Sequence, residues 1–171
     1  MERRSIESIV QVLNASGSRY LIVGGLAVVA HGLVRFTADL DLVLDPDAAA
    51  LTTAIAALVG LGYRPRAPVE FSEFADSEAR SRWVREKGLT VFSVYSPEHP
   101  ATEVDLFVEM PFDFEQAHAR AARFEIAPGL EASFVGLRDL IAMKRKAGRP
   151  QDLQDIAGLE SLGPAEGTSR G

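Results

Sequence analysis

Residues 39–44 read Asp-Leu-Asp-Leu-Val-Leu, the segment of this chain that most constrains its fold. Acid and aliphatic residues alternate with period two, the signature of a β-strand that has one face in a core and the other toward water. Leu40 and Leu42 belong to the core side, while Asp39 and Asp41 share the opposite face, about 7 Å apart along the backbone. Two carboxylates that close repel, and such a pair persists with a metal ion or a shared proton. A plain half-solvated strand shows the same alternation, so the surrounding residues must decide between the two readings.

Upstream, Tyr20-Leu21-Ile22-Val23 is a compact apolar run stopped by Gly24-Gly25, which reads as a buried strand. Glycines placed after a strand let backbone N–H groups approach a triphosphate with no Cβ in the way, although a simple strand-to-helix turn uses them too. A helix follows over Leu26 to His31, and Asp45-Pro46-Asp47 caps a long Ala/Leu-rich helix that runs through Val59. An amphipathic helix is expected over Ile6 to Leu13, a short strand over Tyr63 to Arg66 and a charged helix over Glu78 to Lys87. Further on come strands over Leu89 to Tyr95 and Glu103 to Glu109, a helix over Phe114 to Arg123 and a hairpin over Phe124 to Phe134. Gly136 to Ala147 forms a helix that Gly148-Arg149-Pro150 breaks before a last one over Gln151 to Leu162. Strands separated by helices predict one α/β (α+β) domain over residues 1–162, followed by a disordered tail over 163–171. The expected sheet is mixed, with about four to six strands, helices packed mainly on one side, and an acidic site at its edge.

The strand over Glu103 to Glu109 repeats the acidic theme. Val104, Leu106 and Val108 face one way, and Glu103, Asp105, Phe107 and Glu109 face the other. If this strand neighbours the first acidic one, Asp105 falls beside Asp39 and Asp41, and three carboxylates converge on one or two Mg²⁺ ions. Rival readings can be tested on the residues. An EF-hand loop starting at Asp39 would put Val43, Leu44 and Ala50 where it needs an oxygen ligand, Gly and Glu, so it fails. No Gly-rich P-loop or dinucleotide fingerprint is present. A haloacid-dehalogenase-like phosphatase also uses Asp-x-Asp, but there the acids end an apolar strand, whereas Asp39 and Asp41 begin one.

Composition narrows the choice further. The formal charge is −6, which argues against coating nucleic acid by bulk positive charge, and the absence of cysteine removes thiolate metal sites and cysteine nucleophiles. No apolar run is long enough to span a bilayer, and a cytoplasmic protein is expected.

Taken together, Gly24-Gly25 after a strand, then Arg35-x-Thr37-x-Asp39-x-Asp41, then Asp105 in a later strand, resemble the nucleotidyltransferase superfamily with the DNA polymerase β-like fold. The stretches from Gly24 through Gly32 and from Arg35 through Leu42 are similar to small bacterial nucleotidyltransferases of the abortive-infection and toxin–antitoxin kind. So is the C-terminal run from Lys144 to Ile156. The resemblance spans residues 20 to 160. It implies that Gly24, Gly25, Arg35, Thr37 and Lys144 bind nucleotide, and that Asp39, Asp41 and Asp105 are the catalytic, metal-holding acids. Two Mg²⁺ ions are implied, with Mn²⁺ as a substitute, and ATP or another NTP as donor. The acceptor is a tRNA or other RNA end, a protein side chain or a small molecule, and an antitoxin is a further partner. Glu103 shares the face of Asp105 and takes its place if the register differs by two. The alternative function is a non-catalytic nucleotide-binding or toxin–antitoxin partner module.

Other polar residues carry plainer readings. Between Arg138 and Arg149 five basic residues stand against Asp139, which usually means a solvated helix face. Lys144 sits at the edge of the apolar pattern of that helix and could reach toward the sheet. Asp152 and Asp155 either orient it or cap the last helix. His31, on a mostly apolar helix, reads as a hydrogen-bonded structural residue, and Trp83 as a core anchor.

Overall fold

The computed structural model describes residues 1–162; the expected tail, 163–171, lies outside them. In chain order the elements are α1 (Arg3–Ala15), β1 (Tyr20–Ile22), α2 (Gly24–Ala30), β2 (Leu40–Leu44), α3 (Ala48–Gly60) and β3 (Arg64–Pro65). They continue with a 3₁₀ helix (Phe71–Ala75), α4 (Ser77–Lys87), β4 (Val91–Tyr95), β5 (Val104–Phe107) and α5 (Phe114–Ala119). Last come β6 (Ala122–Ala127), β7 (Leu130–Phe134), α6 (Leu137–Ala147) and α7 (Pro150–Ser161). The strands form one sheet of seven in the order β3-β4-β5-β2-β1-β7-β6. It is mixed: β2 runs antiparallel to β1 but parallel to β5, and β1 runs parallel to β7. Among the described residues no helix is long and apolar enough to cross a membrane.

The alternation in β2 does what period two dictates. Leu40, Leu42 and Leu44 are buried together with Val104 and Leu106 of β5, and Asp41 and Asp105 turn to the other face. On the apolar face α1 packs on α3, α3 on the 3₁₀ helix, and that helix on α4. Phe92 of β4, opposite Leu106 in register, is held there by Trp83 stacked at 5.2 Å and Phe74 at 5.3 Å. Trp83 is thus a core anchor. Helix α3 starts where the sequence puts its cap, with the Asp47 carboxylate accepting from the N–H groups of Ala49 and Ala50. On the opposite face, α6 and α7 pack against each other and α6 against α2.

Three expectations need correction. The sheet has seven strands rather than four to six, and the acidic strands β2 and β5 are interior to it rather than at its edge. The helix expected over Phe114 to Arg123 stops at Ala119. Residues from Ala122 onward are taken into the hairpin with β7, a tertiary pairing that overrides local helix preference. The 3₁₀ helix was not anticipated; a reciprocal cap between Glu70 and Glu73 starts it.

Candidate active site

Register brings the acids together. β2 and β5 pair so that Asp41 lies directly opposite Asp105, and β4 extends the row with Ser93 opposite Asp105. The Ser93 hydroxyl donates to Asp105 Oδ1 at 2.5 Å, a contact that the sequence of β4 alone gave no reason to expect. Glu103 is one step further along the same face but is tied up by the guanidinium of Arg66, so the pairing selects Asp105 over Glu103 as the partner of Asp41. Asp39 sits just before β2, exposed at the rim.

The glycines serve this row in a way their sequence position did not suggest. Gly24 opens α2 with φ +64°, and a Cβ built on it would lie 1.9 Å from Asp41 Oδ2. A Cβ on Gly25 would lie 2.4 Å from Thr37 Oγ1 and 3.3 Å from Arg35 Nη2. The space that the missing side chains leave is filled by the protein's own Asp41 and Thr37. Between them, residues 33–38 belong to no helix or strand, with Leu33, Arg35 and Thr37 part-buried and Val34 and Phe36 turned outward, at 95% and 85% exposure.

Burial pushes the Asp41 carboxyl up to about 6; the charges of Asp105 and Asp39 add to this, and the Gly25 backbone and Arg149 work against it. Asp105 is also raised, first by burial and then by Asp39 and Glu103, with the Ser93 bond opposing. The three acids face one another but do not close into a cluster. Among the described residues, no three acidic or histidine side chains are grouped as a formed metal site. As hard carboxylate oxygens on a shared face, the acids are the donor type that Mg²⁺ takes.

Opposite the acids stands a cationic wall. Lys144 of α6 is 5% exposed, its Nζ donating to Asp155 Oδ2 at 2.7 Å and Asp152 Oδ1 at 3.2 Å. The solvated-face reading of the basic run is thus wrong for Lys144, and Asp152 does both things considered for it. It holds the lysine, and it caps α7 by accepting from Arg149 N at 3.3 Å and Nε at 2.7 Å. Burial works to raise the carboxyls of Asp152 and Asp155, but bonds to Arg149, Lys144 and Gln151 outweigh it and hold both below the ordinary range. Acids and cations line a single cleft of about 940 Å³, with Phe107, Met110 and Met143 supplying an apolar stretch of its wall. His31 is structural, its Nε2 bonded to the Val135 carbonyl at 2.8 Å.

No family model matches the chain, and no curated protein matches it in sequence. Solved structures do match. The crystal structure of the lincosamide antibiotic adenylyltransferase LnuA, with lincomycin bound, aligns at TM-score 0.62 and 14% identity, over 95% of this chain and 98% of that one. The solution structure of the antibiotic-resistance factor ANT(2'')-Ia aligns at 0.60 and 14% identity, over 94% and 84%. An antigenic nucleotidyltransferase-like protein from Paracoccidioides brasiliensis aligns at 0.59 and 17% identity, over 94% and 75%. This is the nucleotidyltransferase fold. At such identities the likeness lies in the path of the chain. In this nucleotidyltransferase fold the acid row occupies two interior strands and the cationic wall a pair of C-terminal helices.

Proposed function

We propose that the chain is a nucleotidyltransferase that moves a nucleoside monophosphate from an NTP to an acceptor hydroxyl and releases pyrophosphate. The observation that carries this reading is the register of Asp41 with Asp105, seated against Gly24 and facing Lys144 and Arg149 across one cleft. Asp39, Asp41 and Asp105 would hold two Mg²⁺, or Mn²⁺ in its place, whose chemistry when bound is to neutralise phosphate charge and acidify the acceptor hydroxyl. Asp105 takes the hydroxyl proton. Ser93 fixes its Oδ1, leaving the other oxygen for the acceptor, and burial makes the carboxylate a stronger base. The acceptor oxygen then bonds to the α-phosphorus while the bond to the β-phosphate oxygen breaks. Arg35, Lys144 and Arg149 stabilise the charge that builds on the departing pyrophosphate, with Thr37 and the backbone at Gly24 and Gly25 bounding the phosphate site.

A small hydroxylated molecule is the acceptor favoured over an RNA end or a protein side chain. A cleft of about 940 Å³ suits a nucleotide plus one compact molecule, and part of its wall is apolar. The solved neighbours are described with small molecules, lincomycin in LnuA and adenylyl-2''-tobramycin in ANT(2'')-Ia. An abortive-infection or toxin–antitoxin setting, with an antitoxin partner, rests on the motif resemblance of the segments around Gly24, Asp41 and Lys144. The test is incubation with each of the four labelled NTPs, Mg²⁺ and cell extract, followed by separation of RNA, protein and small molecules. Label is expected in the small-molecule fraction. Label in RNA or protein reassigns the acceptor, and label in none, with the protein folded, points to a non-catalytic nucleotide-binding module.

A further inference from the structure

Asp155 has no place in the chemistry above, yet it is 1% exposed and bonded to cations from two separate parts of the chain. Its Oδ2 accepts from Arg35 Nη1, on the segment before β2, and from Lys144 Nζ, on α6; its Oδ1 accepts from Gln151 Nε2 at 3.1 Å. The donors left over are informative. Arg35 spends Nε on the Phe36 carbonyl and Nη1 on Asp155, while Nη2 makes no hydrogen bond among the described residues and lies against Gly25 in the cleft. Among the described residues Lys144 spends two of its three N–H donors on Asp152 and Asp155 and keeps one. One buried carboxylate therefore holds two cations, each with donor capacity to spare in the cleft where the acids lie. Asp152 differs: its partners, Lys144 and Arg149, belong to the α6–α7 hairpin alone.

We propose that Asp155 is a positioning residue that aims the free donors of Arg35 and Lys144 at a phosphate chain bound in the cleft. The proposal rests on the nucleotidyltransferase reading and assigns that site a residue which never touches substrate. Held by Asp155, the guanidinium cannot swing into solvent, although the segment carrying it has no strand partner. The ordering of both cations is thus complete before an anion arrives.

Inorganic tripolyphosphate with Mg²⁺ is the probe, because it carries the phosphates without a base or an acceptor. Titration calorimetry on the full chain compares the parent with Asp155→Asn, Arg35→Ala, the double variant and Arg35→Lys. Asp155→Asn is expected to bind at least tenfold more weakly. The double variant should fall short of the product of the two single effects by threefold or more, since one residue acts through the other. Arg35→Lys leaves Asp155 in place and carries little risk to folding. It should bind nearly as poorly as Arg35→Ala, because an ammonium held on Asp155 places no donor where Nη2 lies against Gly25. Parent-like binding by Asp155→Asn or Arg35→Lys, or single effects that multiply in full, overturns the positioning role while leaving the nucleotide reading intact. Failure of the parent to bind either tripolyphosphate or ATP overturns the nucleotide reading, and the positioning role with it.

Discussion

At the scale of single residues, Asp41 sets a tension between folding and activity. Its carboxyl titrates at about 6 in the fold, against 3.8 for an ordinary aspartate. The folded chain therefore binds that proton more tightly than the unfolded chain does. The resulting stability is fully present below pH 4 and is lost as pH rises through 6, a loss of about 3 kcal/mol by neutral pH. Asp41→Asn, which carries no charge at any pH, should make the chelator-treated protein more stable by about that amount at pH 7 to 8. Its advantage should shrink toward pH 4, as urea melts across that range will show, and transfer should be nearly abolished. Ser93 acts on the neighbouring acid in the opposite sense, since its hydroxyl favours the charged form of Asp105. Ser93→Ala should raise the Asp105 carboxyl further and move the acidic limb of the rate–pH profile to higher pH; by the same linkage it should lower the melting temperature more at neutral pH than near pH 4.

At the scale of elements, the α6–α7 hairpin is held by charge where its sequence suggested a solvated face. Taking Lys144 away leaves Asp152 and Asp155 buried together with too few cations. Lys144→Ala should therefore cost about 3–5 kcal/mol of stability, measurable by denaturant unfolding, in addition to weakening nucleotide binding. A lysine at a true helix edge would cost almost nothing. The contrast marks where sequence stops informing. β2 and the cap of α3 were legible because period two and an N-cap are local properties of Asp39–Leu44 and Asp47. The 3₁₀ helix is too short to carry a period, and β6 begins where pairing with β7 requires. The pairing of Asp41 with Asp105 could be posed from alternation but not decided, because register depends on strand neighbours distant in sequence. Asp152 and Asp155 could be posed as partners of Lys144 but not decided, because they lie in the next helix.

At the scale of the whole molecule, one sheet carries both halves of the cleft, so ligand binding should be felt by the entire fold. The acids sit on its central strands, and the cations on helices that follow its β7. A single cooperative thermal transition is expected in chelator, and Mg²⁺ with the preferred NTP should raise it by several degrees in the parent. The same addition should leave Asp41→Asn unmoved, because a ligand stabilises only a state that binds it. An equal rise in both would remove Asp41 from the site.

The seat that Gly24 provides for Asp41 also fixes an order in which descendants of this chain can decay. With Asp41 present, any side chain at position 24 meets its carboxylate at 1.9 Å, on a backbone that L-residues rarely adopt. Once position 41 has shrunk to serine or alanine, asparagine, which tolerates that backbone, gains room at 24. A lineage that abandons the activity can therefore lose Asp41 while keeping Gly24, and only afterwards change Gly24. Chains with an altered residue 24 beside an intact Asp41 should be absent from any such lineage, and a pairwise saturation library at the two positions should reproduce the same one-way dependence.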